Sequence, residues 1–232
     1  MRDQNETPDE EPLPAAPDTI VFDIGEVLID ETRVWAVWAQ LIGVSPLTFA
    51  AVYGAAIVQG EDYPAVFDHL APNIQFEAFA AAHDAAYGGF RSEDLYPDVI
   101  ECLTELAAAG FRVIIAGNQP AQRSAELRAL QLGVADIVTS EEFGVEKPDP
   151  AFFAAVCQRA GATDPSRLLY VGDRVDRDVV PAAAFGMATC WLQRGPYGRL
   201  QECPSTITPD LTLEGLGELT TLLVAWRDAT RD

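Results

Sequence analysis

Thr19-Ile20-Val21-Phe22-Asp23-Ile24-Gly25-Glu26-Val27-Leu28 is the stretch on which the reading of the whole chain turns. Ile20, Val21 and Phe22 make an apolar run too short for a helix and too continuous for a strand with one wet face. Runs of this kind suit a parallel sheet covered on both sides. The run ends in a single carboxylate, Asp23, followed by a turn at Gly25. An acid at the carboxyl end of such a strand lies where open α/β sheets bind ligands. Taken by itself, a turn aspartate before a glycine accounts for it better, so the remainder of the chain has to decide.

Downstream of Leu95 the sequence alternates between helical and extended patterns. Val99 to Ala109 reads as a helix closed by Gly110, Arg112 to Ala116 as a strand, and Ala121 to Leu132 as a helix ended by Gly133. Ile137 to Thr139 is a third strand. Ala151 to Ala160 is a helix, Arg167 to Val171 a fourth strand, Asp178 to Phe185 a helix and Ala188 to Leu192 a fifth strand. A final helix is expected near Leu213 to Arg227. This repetition predicts an α/β fold with a doubly wound parallel sheet, its strand-end loops gathered on one edge. Between Thr32 and about Phe90 the apolar residues instead recur at helix spacing, broken by Gly43, Gly60, Pro64 and Pro72. That segment reads as a helical insertion, with Trp35 and Trp38 in its core and His69 and His83 as structural residues. The expected organisation is an acidic, proline-rich disordered tail over 1–18, a core over 19–31 and 93–232, and a helical cap over 32–92.

Composition narrows the function. The 232 residues carry a formal charge of -21, which argues against nucleic acid or an anionic membrane as partner. Cys102, Cys157, Cys190 and Cys203 have no paired spacing, so reduced thiols are expected rather than a zinc cluster or disulfides. No apolar run has the length of a membrane span and no signal pattern opens the chain, which points to the cytoplasm; either a monomer or a homodimer is expected.

The predicted sheet edge gathers Asp23, Gly117-Asn118, Lys147, and Asp173 with Asp176 and Asp178. Clustered carboxylates suit Mg²⁺, which is commonly held by one or two of them together with substrate phosphate oxygens. Lysine adds compensating charge, and free backbone N–H groups before the helix opened by Pro120 can cradle phosphate. No G-x-G-x-x-G follows the first strand and no P-loop is present.

These residues resemble the four motifs of the haloacid dehalogenase-like superfamily. Phe22-Asp23-Ile24-Gly25 is similar to the first, Val113 to Asn118 to the second, Glu146-Lys147-Pro148-Asp149 to the third, and Val171-Gly172-Asp173 through Asp178 to the fourth. The resemblance implies a Rossmann-like core with a helical cap and a Mg²⁺-dependent phosphatase acting on a small phosphorylated metabolite. It implies that Asp23 is the nucleophile, forming an aspartyl-phosphate, and that Lys147 neutralises it and the incoming phosphoryl oxygens. Gly117 and Asn118 would bind substrate. Asp23, Asp173, Asp178 and the main-chain carbonyl of Gly25 would hold the metal.

Two positions depart from the family pattern. Gly25 stands where phosphatases of the superfamily carry a second aspartate as acid and base, and Gly117 where they carry a serine or threonine. Positioned acid–base catalysis is worth about 10²–10⁴ in rate, so slow or selective turnover is expected, with anomeric, aryl or acyl phosphates favoured over esters whose leaving group needs a proton. Glu26 and Asp30 are the nearest substitutes by sequence, and Arg174 could meet a substrate anion. Two other readings stay open: a non-catalytic binding protein on the same fold, and a metal-independent 2-haloacid dehalogenase.

Overall fold

The computed structural model describes residues 17–72 and 76–229. The tail expected over residues 1–18 falls almost wholly outside them. Among the described residues six strands form one sheet: β1 (Thr19–Phe22), β2 (Arg112–Gly117), β3 (Asp136–Thr139), β4 (Leu168–Gly172), β5 (Ala188–Leu192) and β6 (Leu211–Leu213). All pairings are parallel, in the order β3-β2-β1-β4-β5-β6. The chain winds outward from β1 to β3, returns to β4 and winds the other way, which is the doubly wound α/β arrangement predicted from the sequence.

Side-chain alternation along the strands builds two cores. Ile20 and Phe22, with Val113, Ile115, Leu169 and Val171, face α5 (Val99–Ala108) and α11 (Leu216–Ala229). Val21, Ile114, Ala116 and Tyr170 face α8 (Pro150–Ala160), which contributes Phe152, Phe153 and Val156. Because both faces are covered, every residue of β1, β4 and β5 is buried. Helix α8 is locally well specified: the Asp149 side chain accepts from the Ala151 N–H, Pro150 opens the first turn, and Gly161 closes it at φ 71°. Helices α6 (Ala121–Ala129), α7 (Ser140–Phe143) and α9 (Val180–Phe185) complete the layers.

The segment after β1 holds α1 (Thr32–Leu41), α2 (Pro46–Val58), α3 (Pro64–Leu70) and α4 (Phe76–Tyr87). It has its own core of Trp38, Phe49, Tyr53, Ile57 and Phe67. Tyr197, from α10 (Gly195–Leu200) on the sheet side, enters that core and couples the two parts. His83 stacks on Trp38 with ring centroids 4.2 Å apart, and a ring nitrogen meets the Val34 carbonyl at 3.1 Å.

The structure differs from the sequence pattern in three places. Leu211–Leu213 is a sixth strand, too short to show alternation; its pairing with β5 is supported by Asp210, which accepts from the Thr189 N–H at 2.7 Å. Helix α10 lies between the fifth strand and the final helix, in a proline- and glycine-rich segment for which the sequence pattern marks no element. Asp178 sits within a wide turn over Val175–Val179 that precedes α9, rather than starting a regular helix. Among the described residues, no single helix is long and apolar enough to cross a membrane.

Candidate active site

Phe22 lies in register with Ile115 on β2 and Val171 on β4, so the loops leaving these three strands open at one level. That level is the switch point of the sheet, where winding reverses. Asp23 is the first residue past β1, and its N–H donates to the Val171 carbonyl at 2.9 Å. Alternation aims its side chain to the Val21 side, toward the loop that carries Lys147 into α8. Lys147 Nζ stands 2.7 Å from Asp23 Oδ1 and 2.5 Å from Asp178 Oδ1, and is almost fully buried.

Asn118 holds that lysine in place. The Lys147 N–H donates to Asn118 Oδ1 at 2.8 Å, and Asn118 Nδ2 donates to the Lys147 carbonyl at 2.9 Å. The side chain expected to bind substrate engages the Lys147 main chain with both of its polar atoms. Asp178 is fixed from its other oxygen, which accepts from the Arg174 N–H at 2.9 Å. The Trp191 indole N–H donates to the Asp173 carbonyl at 3.0 Å.

Asp23, Asp173 and Asp178 bring carboxylate oxygens within 4.8 Å of one another, all three buried. Burial, then the neighbouring carboxylates of Asp178 and Asp23, push Asp173 well above the usual carboxylate range. Burial likewise raises Asp178, to about 6, against the pull of Lys147. Burial would lower Lys147, yet Asp178 and Asp23 outweigh it and hold the ammonium well above its ordinary value. One ammonium thus faces three buried acids. An all-oxygen donor set with surplus negative charge fits a hard divalent cation such as Mg²⁺, whose charge would relieve the crowding.

Both unusual glycines are explained by what lies against them. A Cβ built at Gly117 would overlap Asp23 Oδ1 and come within 3.1 Å of the Ile24 side chain. A Cβ built at Gly25 would overlap Glu31 Oε1 and come within 2.9 Å of Glu31 Cδ. Glu31 is the last residue before α1 but makes no side-chain capping bond to it. That place is taken by Asp30, whose Oδ1 accepts from the Thr32 N–H at 2.8 Å. Glu26 is committed as well: Oε2 accepts from the Tyr96 hydroxyl at 2.5 Å and Oε1 from the Glu31 N–H at 3.1 Å. Burial, then Glu26 and Asp23, push the Glu31 carboxyl up to about 8. The Trp35 indole N–H opposes this rise without completing a regular hydrogen bond.

Asp23, Gly25, Glu26, Glu31, Lys147 and Asp173 line a cavity of about 390 Å³ between the sheet edge and α1, α2 and α4. Trp35, Tyr53, Tyr63 and Tyr87 contribute to its aromatic wall. Arg174 lies 3.8 Å over the Tyr197 ring and pairs with Asp62 at 3.0 Å and Asp176 at 2.7 Å. Arg177 also pairs with Asp62, so one acid from the loop before α3 meets two arginines of the sheet side. Sequence reasoning missed Glu31, Asp62 and Tyr197, which no motif or periodicity marks.

A family model described as haloacid dehalogenase-like hydrolase matches residues 17–186. A glyceraldehyde 3-phosphate phosphatase of Methanopyrus kandleri is 32% identical over 172 residues, 69% of this chain and 72% of that protein. The pyrimidine 5'-nucleotidase YjjG of Escherichia coli is 40% identical over 87 residues, 38% of this chain and 37% of that protein. Among solved structures, the L-2-haloacid dehalogenase of Xanthobacter autotrophicus superposes with a TM-score of 0.65 at 21% identity, covering 89% of this chain and 98% of that one. At that identity the likeness concerns the fold alone.

Proposed function

The chain belongs to the haloacid dehalogenase-like hydrolase family, and from that premise we propose a divalent-metal-dependent phosphatase acting on a small phosphorylated metabolite. The observation that carries this reading is the arrangement around Lys147: one buried ammonium touches both Asp23 and Asp178 while Asp173 completes a triad of oxygen donors. In the proposed reaction an Asp23 oxygen attacks phosphorus and forms an aspartyl-phosphate, which water then cleaves. Lys147 lowers the repulsion between the Asp23 carboxylate and an incoming phosphate, and Asn118 keeps it at that station. Glycine at position 117 lets the Asp23 carboxylate lie against the β2 end, where a Cβ would overlap Oδ1. Mg²⁺ held by Asp23, Asp173 and Asp178 would supply charge stabilisation for the phosphoryl oxygens as the transition state forms. The aromatic wall supports a substrate with a planar or apolar body.

Two relatives reported above bear phosphatase or nucleotidase names, which supports the reaction class. A haloacid dehalogenase reading is weakened by Asp173 and Asp178, whose carboxylates would repel a carboxylate substrate. The test is turnover of an aryl phosphate with and without Mg²⁺, in the wild type and in Asp23→Asn. Activity that needs both the metal and Asp23 is expected. Turnover that survives chelation, or survives loss of Asp23, refutes the reading.

A further inference from the structure

We propose that Glu31 supplies the acid–base carboxyl that position 25 lacks, delivered from the start of α1 instead of from the strand-end loop. This deepens the phosphatase reading and rests on it. The Glu31 Oε1 atom lies about as far from a Cβ built at Gly25 as an aspartate's own carboxylate oxygens lie from their Cβ, and Glu31 Cδ is 2.9 Å from that point. The oxygen therefore lies within the reach that a side-chain carboxylate at position 25 would have, in the cavity that Asp23, Lys147 and Asp173 also line. Glycine at position 25 accommodates it, since a Cβ there would require the Glu31 carboxylate to move aside.

The alternatives are committed elsewhere. Asp30 caps α1 through the Thr32 N–H, and both oxygens of Glu26 accept hydrogen bonds, from Tyr96 and from the Glu31 N–H. Those two contacts also fix Glu31. Its main chain is tied to Glu26, its neighbour Asp30 takes the cap, and its side chain is left to turn into the cavity. The residue thus has a held backbone and a carboxyl that lines the same cavity as Asp23, with the Trp35 indole N–H beside it.

The chemistry balances over two steps. Asp23 Oδ bonds to phosphorus as the ester P–O bond breaks, its electron pair going to the leaving oxygen; the Glu31 carboxyl gives that oxygen its proton and becomes a carboxylate. The carboxylate next takes a proton from water as the water oxygen bonds to phosphorus. The P–O bond to Asp23 breaks with its pair returning to Asp23, leaving inorganic phosphate and a reprotonated Glu31.

Glu31→Gln removes the transferable proton at constant shape. With an alkyl phosphate, whose leaving group needs a proton, kcat should fall about 10²–10⁴-fold. With 4-nitrophenyl phosphate, expulsion needs no acid while hydrolysis of the intermediate still needs a base. A rapid burst of about one equivalent of 4-nitrophenolate should then precede slow turnover. Gly25→Asp combined with Glu31→Ala restores a carboxyl at the same place and should recover activity over Glu31→Ala alone, which separates chemistry from misfolding. If Asp23→Asn is inactive but Glu31→Gln keeps wild-type kcat on the alkyl ester, Glu31 is not the acid although the phosphatase reading stands. Equal losses on both esters, with no burst and no rescue by the double variant, also overturn the assignment. If Asp23→Asn stays active, the phosphatase reading fails and the role of Glu31 falls with it.

Discussion

Replacing Lys147 by methionine tests the electrostatic centre of the site without disturbing its shape. Methionine keeps an unbranched apolar stem of similar length, so packing beside Tyr170 and Phe152, whose rings lie 5.5 and 6.0 Å from Nζ, is largely kept. What disappears is the charge. At 2.7 Å from Asp23, a unit pair in surroundings of effective dielectric constant 20 attracts by about 6 kcal/mol, and the Asp178 contact adds a similar amount before desolvation is subtracted. The net cost of removing one partner from a buried pair is smaller, about 3–5 kcal/mol, because the stranded carboxylates can bind a proton. At roughly 2–4 °C per kcal/mol for a chain of this size, Tm should fall by about 6–20 °C in EDTA at neutral pH. Saturating Mg²⁺ should recover part of the loss, since a ligand at 100 times its Kd stabilises the folded state by about 2.7 kcal/mol. Thermal melts of both proteins with EDTA and with Mg²⁺ make the comparison. A variant within 2 °C of wild type in EDTA (roughly the effect of 1 kcal/mol) would show that Lys147 does not neutralise the acids of the site.

Three further outcomes follow from the same contacts. Asn118→Ala removes both bonds to the Lys147 main chain and should lower kcat/KM about 10–100-fold, the equivalent of two ordinary hydrogen bonds; unchanged kinetics would deny Asn118 a positioning role. Gly117→Ser restores the hydroxyl residue of the family pattern but puts a Cβ onto Asp23 Oδ1. Activity should therefore fall, by about 10² if Asp23 moves by an ångström, and a faster enzyme would contradict the geometry. Asp94 binds Arg33 through Nε at 2.8 Å and Nη2 at 2.5 Å, linking the start of α1 to the chain after α4. Burial works to raise Asp94, but Arg33 and the Arg91 N–H outweigh it and hold the carboxyl below its ordinary 3.8. Its contribution is therefore complete above about pH 4 and lost as pH falls through the lower folded value. Asp94→Asn should cost roughly 1.5–3 kcal/mol at pH 7 and progressively less below pH 4 in urea titrations. A gap that does not shrink on acidification would remove the ion pair as its cause.

The sheet was legible in the chain because buried parallel strands and glycine-closed helices leave local marks: the apolar run before Asp23, RVIIA at Arg112 to Ala116, and caps at Gly110 and Gly161. The same marks placed Asp23, Gly117, Asn118, Lys147, Asp173 and Asp178 at strand ends, and the structure brings them to one edge. Leu211–Leu213 left no mark, because a three-residue edge strand is defined by its partner β5 and not by its own periodicity.

Sequence by itself thus determined the winding of the sheet and which edge carries acids and a lysine, since both follow from short-range pattern and strand order. Only tertiary structure decided how those groups are used. It turned Asn118 onto the Lys147 main chain, locked Asp62 against Arg174 and Arg177, and swung Glu31 into the space left open at Gly25. The physical reason is that a side chain's reach spans several residues of sequence and crosses between elements. A vacancy at one position can therefore be filled from another that no spacing rule connects to it.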